Sequence, residues 1–152
     1  MLFRSPLSLL LRLPNRMRAE QSKFGDTGGV HACALFDLSG NLLHVLEDVG
    51  RHNAFDKLVG TSLMSGSLPL TDRIVVLSGR ASFELVQKAI RAGTSILAAI
   101  GAPSSLAVSL ATTSGLTLAG FLRDAHCNVY AHPERLTLES NPLALAPAGT
   151  FS

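Results

Sequence analysis

The sequence is poor in charge and in long apolar runs, and each shortage excludes a class of protein. Charged residues make up 16% of the chain, and its 13 Lys and Arg residues are scattered, unlike the basic patch of a nonspecific nucleic-acid-binding protein. No apolar run approaches the roughly 20 residues that a membrane-spanning helix needs. We therefore expect no nucleic-acid and no membrane partner, and any anion must be bound by a local site.

Cysteine is also scarce, and the two thiols, Cys33 and Cys127, lie far apart. They form neither a C-x-x-C pair nor a zinc-ligand spacing, which fits a reducing compartment where buried thiols act as small apolar side chains. We expect a cytoplasmic protein without a metal site. Residues 1–19 leave an alternative open, because four arginines without an acid suit an organelle transit peptide as well as a surface helix of the domain.

The length of 152 residues and the hydrophobic content of 47% are typical of one compact domain. We place that domain at residues 14–138. Residues 1–13 are interpreted as an amino-terminal extension or the remnant of an upstream segment. Residues 139–152, with prolines and small side chains, are interpreted as a loose carboxy-terminal tail.

Strand and helix patterns alternate along the domain, after a first helix predicted over residues 14–24. A hairpin is predicted from VHACALFD and LLHVLED, followed by a helix over RHNAFDKLVGTSLM. Three further strands, RIVVLS, TSILAAIG and LTLAGFLR, are separated by two helices that each begin at serine and end at glycine. NVYAHPERL predicts an edge strand. The fold class is therefore three-layer α/β/α with a mixed, largely parallel sheet.

Three glycine-marked junctions, DTGGVH, EDVGRHNAFDK and LSGRAS, interrupt this pattern near predicted strand ends, where ligands collect in α/β proteins. The second junction concentrates six titratable side chains in eleven residues. If a helix begins near Gly50, its unpaired N–H groups and its dipole favour a bound anion. Arg51 suits bidentate phosphate contacts, and Ser78–Arg80 repeats the arrangement after the next strand. We expect Arg51 and Arg80 to converge on one diphosphate.

Each residue of the second junction also has a purely structural interpretation. His52 and Asp56 share a helix face, so Asp56 is predicted to orient the imidazole, but the two also suit an ordinary i,i+4 pair. Asp48 suits a helix cap, and Arg51 suits a surface ion pair with Glu47. Their joint occurrence at one strand-to-helix junction favours a binding site.

The first junction is a weaker signal. Gly28 and Gly29 permit a close approach of a ligand to the backbone, but paired glycines also simply end a helix. His31 is equally compatible with a site residue and with a hydrogen-bonded histidine of the core.

Together, QSKFGDTGGVHACALFD, EDVGRHNAFDKLVG, SGRASFELVQKAIRAG and GLTLAGFLRDAHCNVYAHPERL resemble the carboxy-terminal half of the FdhD family, the formate dehydrogenase accessory sulfurtransferases. The resemblance implies a cytidine-deaminase-like fold. It implies that sulfur from a cysteine desulfurase passes as a persulfide to the molybdenum cofactor, in its bis(molybdopterin guanine dinucleotide) form, before the cofactor enters formate dehydrogenase. A guanine nucleotide is then a fragment ligand, and a homodimer is reasonable.

The resemblance also implies that residues 121–126 contribute to cofactor binding, which completes the candidate site. Its cofactor-binding residues are Gly28, Gly29, His31, Asp48, Gly50, Arg51, His52, Asn53, Asp56, Lys57, Ser78, Gly79, Arg80, Phe121, Leu122, Arg123, Asp124, Ala125 and His126.

Two departures from the family pattern keep a second function open. The family's sulfur-carrying C-x-x-C lies upstream of the first predicted helix and has no counterpart here, and Ala125-His126 stands where the family tends to have Gly-Arg. The alternative is a truncated or split nucleotide-cofactor-binding module with no sulfurtransferase chemistry of its own. Zinc-dependent deamination is excluded by the missing H-x-E and P-C-x-x-C ligands.

Overall fold

The structure is a computed structural model that describes residues 4–22, 29–123, 126–138 and 150–151. Its helices are α1 (Leu7–Leu10), α2 (Leu13–Ser22), α3 (Arg51–Met64), α4 (Phe83–Arg91), α5 (Ser105–Ser114) and the 3-10 helix Pro133–Arg135. Its strands are β1 (Ser5–Pro6), β2 (His31–Asp37), β3 (Leu42–Asp48), β4 (Arg73–Leu77), β5 (Ile96–Ala99), β6 (Thr117–Arg123), β7 (His126–Ala131), β8 (Leu136–Thr137) and β9 (Thr150–Phe151).

Seven strands form one mixed sheet in the order β3-β2-β4-β5-β6-β7-β9, and β1 pairs with β8 beside it. The parallel part is limited to β4, β5 and β6, because helical crossovers join these strands. β2 is antiparallel to β3, and β7 is antiparallel to β6. The predicted mixed sheet is confirmed, but "largely parallel" holds only for its centre, since β2 inserts antiparallel to β4.

Two apolar cores, one on each face of the sheet, establish the three layers. Cys33, Leu35 and Val75 pack toward α3, α4 and α5, whereas Ala34 and Phe36 pack toward α1 and α2. Alternate residues of β2 therefore face opposite cores, as the two-residue period of a strand requires. No helix in the described part of the chain is long and apolar enough to cross a bilayer.

The ends of the chain meet this core in different ways. Leu7, Leu10 and Leu13, assigned from the sequence to an extension and to its boundary, are buried in the second core. The segment predicted as an edge strand begins at His126, and Thr150–Phe151 pairs with it on its outer side, so the edge prediction is wrong. The rest of the predicted tail, residues 139–149 and 152, lies outside the described residues.

Serine caps and left-handed glycines fix the ends of α4 and α5, as predicted. The Ser82 hydroxyl accepts the Leu85 N–H at 3.3 Å, and the Ser104 hydroxyl accepts the Ala107 N–H at 3.1 Å. Gly115 ends α5 with φ of 78°. These caps satisfy backbone groups that the helix itself leaves unpaired, and they set the helix starts at a fixed distance from the strand ends.

His132 joins the end of α5 to the segment after β7. His132 Nδ1 lies 2.8 Å from the Glu134 carboxylate, and His132 Nε2 lies 2.8 Å from the Thr112 carbonyl oxygen. Both partners are acceptors, so only the doubly protonated ring satisfies both contacts. The Thr112 carbonyl and then Glu134 raise the pKa of His132 above its ordinary value.

Replacement of His132 by Asn, which tolerates the positive φ of 48° at this position, tests the contact. Because the folded-state pKa is raised, its contribution is fully present below the unfolded pKa and is lost as pH rises through the folded pKa. We expect His132→Asn to lower the free energy of unfolding by roughly 0.5 to 1 kcal/mol at pH 5.5 and by less at pH 8.5, measured by urea denaturation. An equal loss at both pH values would contradict an ionised His132.

Candidate functional site

A cleft at the carboxyl ends of β4 and β5 brings two arginines together. It has a volume of about 170 Å³ and is lined by Arg51, Arg80, Ala81, Ser82, Ala102, Pro103 and Ser104. Arg51 is the first residue of α3, and Arg80 lies in the connection from β4 to α4. The structure therefore places the two predicted guanidinium groups at one cavity, while their role in binding stays a prediction.

The electrostatics of this cleft favour an anion. Arg51 opens α3, and Ser82 and Ser104 cap α4 and α5, so the positive ends of three helix dipoles face the same space. No acidic residue is among the described lining residues. The Arg51 Nε is buried without a hydrogen-bond partner in the described chain, so it remains unsatisfied until an acceptor enters.

Three glycines hold the loops of the cleft against one another. The Gly101 N–H donates to the Gly79 carbonyl at 3.0 Å, and the Phe121 N–H donates to the Gly101 carbonyl at 3.1 Å. A Cβ at Gly101 would lie 3.0 Å from backbone atoms of residues 79 and 80, and one at Gly120 would lie 2.7 Å from Pro103 Cδ. Only residues without a side chain permit this approach, which fixes the position of Arg80 relative to Pro103.

Most charged side chains around the start of α3 form hydrogen bonds and ion pairs with the turn that precedes the helix. Asp48 Oδ1 accepts the Gly50 N–H at 3.0 Å and the Asn53 amide at 3.3 Å, and Asp48 Oδ2 lies 2.8 Å from Lys57 Nζ. Lys57, followed by the Gly50 N–H, lowers the pKa of Asp48 to about 2. Lys57 Nζ also donates to the Glu47 carbonyl at 2.9 Å. Asp48, Asn53 and Lys57 are therefore positioning residues of the turn.

The predicted pairing of Asp56 with His52 is wrong. Both Asp56 oxygens accept from Lys88 Nζ of α4, at 2.8 and 3.0 Å, because a neighbouring cation outcompetes a partner on the same helix. His52 is half-buried and its ring has no hydrogen bond among the described residues. The alternative surface pair of Arg51 with Glu47 is likewise not formed in the described structure, which leaves Arg51 available to the cleft.

The first and third predicted junctions lie side by side. The Ser78 hydroxyl accepts the Ala32 N–H at 2.8 Å, which ties the start of β2 to the end of β4. A Cβ at Gly79 would lie 3.2 Å from His31 Nδ1, so the half-buried imidazole covers this glycine. Gly29 is exposed with φ of 91°, and Gly28 lies outside the described residues.

Residues 121–126 contribute fewer available side chains than predicted. Phe121 has φ of 52° and is 38% exposed at the bulge of β6, next to the loop of Gly101. Leu122 is fully buried in the second core and cannot offer its side chain to the cleft. Arg123 and His126 are exposed and lie opposite each other in the register. Asp124 and Ala125 lie outside the described residues.

One wall of the cleft was not predicted from the sequence. Ala102, Pro103 and Ser104 belong to the connection from β5 to α5, which is a fourth glycine-marked strand-to-helix junction. The same rule about strand ends would have found it. This junction has no charged residues, whereas clustered charge marked the second and third junctions as a candidate binding site.

Neither cysteine offers an accessible thiolate. Cys33 and Cys127 are buried in different cores on opposite faces of the sheet. Burial raises the pKa of the Cys33 thiol far above its ordinary value and the pKa of Cys127 to about 11. Within the described residues no group of His, Cys, Asp and Glu is arranged to hold a metal ion.

Residues 3–137 match the sequence profile of the FdhD/NarQ family. The sulfur carrier protein FdhD of Streptomyces avermitilis is 61% identical over 132 residues, which cover 87% of this chain and 47% of that protein. The protein of the same name from Sulfolobus acidocaldarius is 48% identical over 130 residues, covering 86% of this chain and 51% of that protein. The chain therefore spans about half the length of the curated relatives it matches.

Solved structures of other proteins share the fold of this chain. A crystal structure from Desulfotalea psychrophila, described as a formate dehydrogenase accessory protein, matches with a TM-score of 0.80 and 33% identity, over 89% of this chain and 60% of that chain. A guanine deaminase from Nitrosomonas europaea matches with a TM-score of 0.57 and 13% identity, over 82% and 81% of the two chains. The second match shows the shared deaminase-like fold alone, which confirms the predicted architecture.

The burial of both thiols predicts slow modification. In the native protein we expect Cys33 and Cys127 to react with a disulfide reagent such as dithionitrobenzoate at least about tenfold more slowly than in guanidinium-unfolded protein, because the thiolate is the reactive form. The release of thionitrobenzoate at pH 8 measures both rates. Prompt modification of either thiol in the folded protein would contradict the burial.

Proposed function

The chain belongs to the FdhD/NarQ family, and we propose that it is an accessory protein of formate dehydrogenase maturation that binds the bis(molybdopterin guanine dinucleotide) molybdenum cofactor and supports sulfur transfer to it. The observation that carries this proposal is the cleft shared by Arg51 and Arg80. The names of the relatives, sulfur carrier protein and formate dehydrogenase accessory protein, support the same role.

The size and chemistry of the cleft fit a diphosphate better than a whole nucleotide. Its volume of about 170 Å³ is below the roughly 300 to 1,000 Å³ of pockets that enclose a complete ligand. Two guanidinium groups and the hydroxyls of Ser82 and Ser104 supply donors for several phosphate oxygens. The diphosphate is therefore held in the cleft, and the rest of the cofactor lies outside it.

The contribution of this chain is to hold the cofactor rather than to carry the sulfur atom. A persulfide carrier needs an accessible thiolate, and both thiols are buried with raised pKa values. In this proposal a cysteine desulfurase is the sulfur donor and formate dehydrogenase receives the cofactor. Arg51 and Arg80 neutralise the diphosphate while the transfer takes place.

The second candidate is a nucleotide-cofactor-binding module without sulfurtransferase chemistry, and the burial of both cysteines favours it. Incubation with a cysteine desulfurase and cysteine, followed by persulfide labelling and mass spectrometry, separates the two functions. A stable persulfide on Cys33 or Cys127 would contradict the module. Its absence, with nucleotide binding intact, would support it.

Calorimetric titration with GDP, a fragment of the cofactor, tests the cleft. We expect Arg51→Gln and Arg80→Gln each to weaken GDP binding by roughly 1.5 to 3 kcal/mol, the range for a hydrogen bond to a charged group. Arg91→Gln is the matched control, because Arg91 is exposed on α4 and does not line the cleft. Equal affinities for all variants, or no binding by the wild type, would remove this site.

A further inference from the structure

A second, larger cleft lies on the other face of the sheet and has no part in the proposed function. It has a volume of about 460 Å³ and lies between α1–α2 and the turn that joins β2 to β3. Its principal lining residues are Leu9, Arg12, Leu13, Arg16 and the turn residues Ser39 and Gly40. Because α1 and α2 pack opposite to α3, α4 and α5, this cleft is separate from the one that holds Arg51.

The floor of the cleft is apolar and rigid. Leu13 is 1% exposed within the second core, and Leu9 packs against that core. The turn is locked against the floor, since Gly40 has φ of 84° and a Cβ there would lie 3.1 Å from Leu9 Cδ1. The Gly40 N–H donates to the Asp37 carbonyl at 3.1 Å, which closes the turn. The cleft is therefore a preformed groove between a helix and a hairpin.

Its rim carries cations without acidic partners. Arg12 and Arg16 are exposed one helical turn apart, and within the described chain neither forms a side-chain ion pair. The acid of the adjacent turn, Asp37, is already saturated: its Oδ1 accepts the Ser39 and Asn41 N–H groups, each at 2.9 Å, and its Oδ2 accepts the Asn41 amide at 2.9 Å. Like charges at this spacing repel, so an anion bound between them would be stabilising.

Asn15 and Ser39 are the remaining polar residues of the groove, and both side chains are neutral. Asn15 Oδ1 accepts from Arg18 Nη1 at 3.2 Å, and the Asn15 amide nitrogen keeps two N–H donors. Arg12, Arg16 and Asn15 thus present donors above an apolar floor. The matching ligand combines carboxylate oxygens with an apolar side chain.

We propose that this groove docks an acidic, extended segment of a partner protein, with carboxylates at alternate positions on Arg12 and Arg16 and an apolar side chain on Leu9 and Leu13. Four residues of α-helix advance about 6 Å, and two residues of extended chain advance about 6.6 Å, so alternate side chains of the segment match the two arginines. The docking does not depend on nucleotide binding at Arg51 and Arg80.

Fluorescence anisotropy with a fluorescein-labelled peptide of sequence SESESLS at low ionic strength tests the groove. We expect it to bind the wild type at least about tenfold more tightly than the SQSQSLS peptide, since each charge-assisted contact is lost with the carboxylates. The double variant Arg12→Gln/Arg16→Gln is expected to lose at least about tenfold in affinity for SESESLS. Arg12→Lys/Arg16→Lys, which keeps the charge but not the guanidinium fork, should lie between them.

The controls distinguish the groove from a general charge effect and from other occupants. Arg91→Gln removes an exposed cation on the opposite layer and should leave peptide affinity unchanged, and far-UV circular dichroism checks that each variant is folded. Equal affinity for the two peptides, or for wild type and double variant, overturns the proposal. So does displacement of the peptide by inorganic phosphate alone, or a concentration-dependent dimer that the double variant abolishes in the absence of peptide binding.

Discussion

The candidate site depends on the close packing of the loops that follow β4 and β5 against each other and against the bulge of β6. Gly79, Gly101 and Gly120 bring these loops together, and main-chain hydrogen bonds of 3.0 and 3.1 Å join them. A side chain at residue 101 or 120 would force the loops apart. Because Arg80 follows Gly79, and Pro103 follows Gly101 by two residues, these close approaches set the positions of both residues in the cleft.

The charged residues around the cleft fall into two groups: those that pair with each other and those without an acidic partner. Asp48 with Lys57, and Asp56 with Lys88, neutralise each other and fix the start of α3 and its contact with α4. Arg51 and Arg80 remain without acidic partners among the described residues, at a point where three helix dipoles add positive potential. The cleft therefore brings together two cations that no described acid neutralises, which is an arrangement that a bound anion would stabilise.

The fold alone would suggest different chemistry, because a guanine deaminase shares it with a TM-score of 0.57 at 13% identity. The deaminase ligand motifs are missing from the sequence, and the described residues contain no cluster that could hold a metal ion. At the strand-to-helix junctions of its cleft this chain carries guanidinium groups, so a shared fold does not imply a shared function.

The sequence by itself determined the alternating strands and helices from β2 to β6, the serine caps of α4 and α5, and the positions of Arg51 and Arg80 just after strand ends, because periodicity and capping are local properties. Only the tertiary structure decided that Asp56 binds Lys88, that Leu122 is buried and that Pro103 completes the cleft. These facts depend on which helix or strand lies alongside, and residues 32 positions apart, such as Asp56 and Lys88, leave no periodic signal of their contact. Helical spacing shows which side chains share a face, whereas the neighbouring element decides which of them pair.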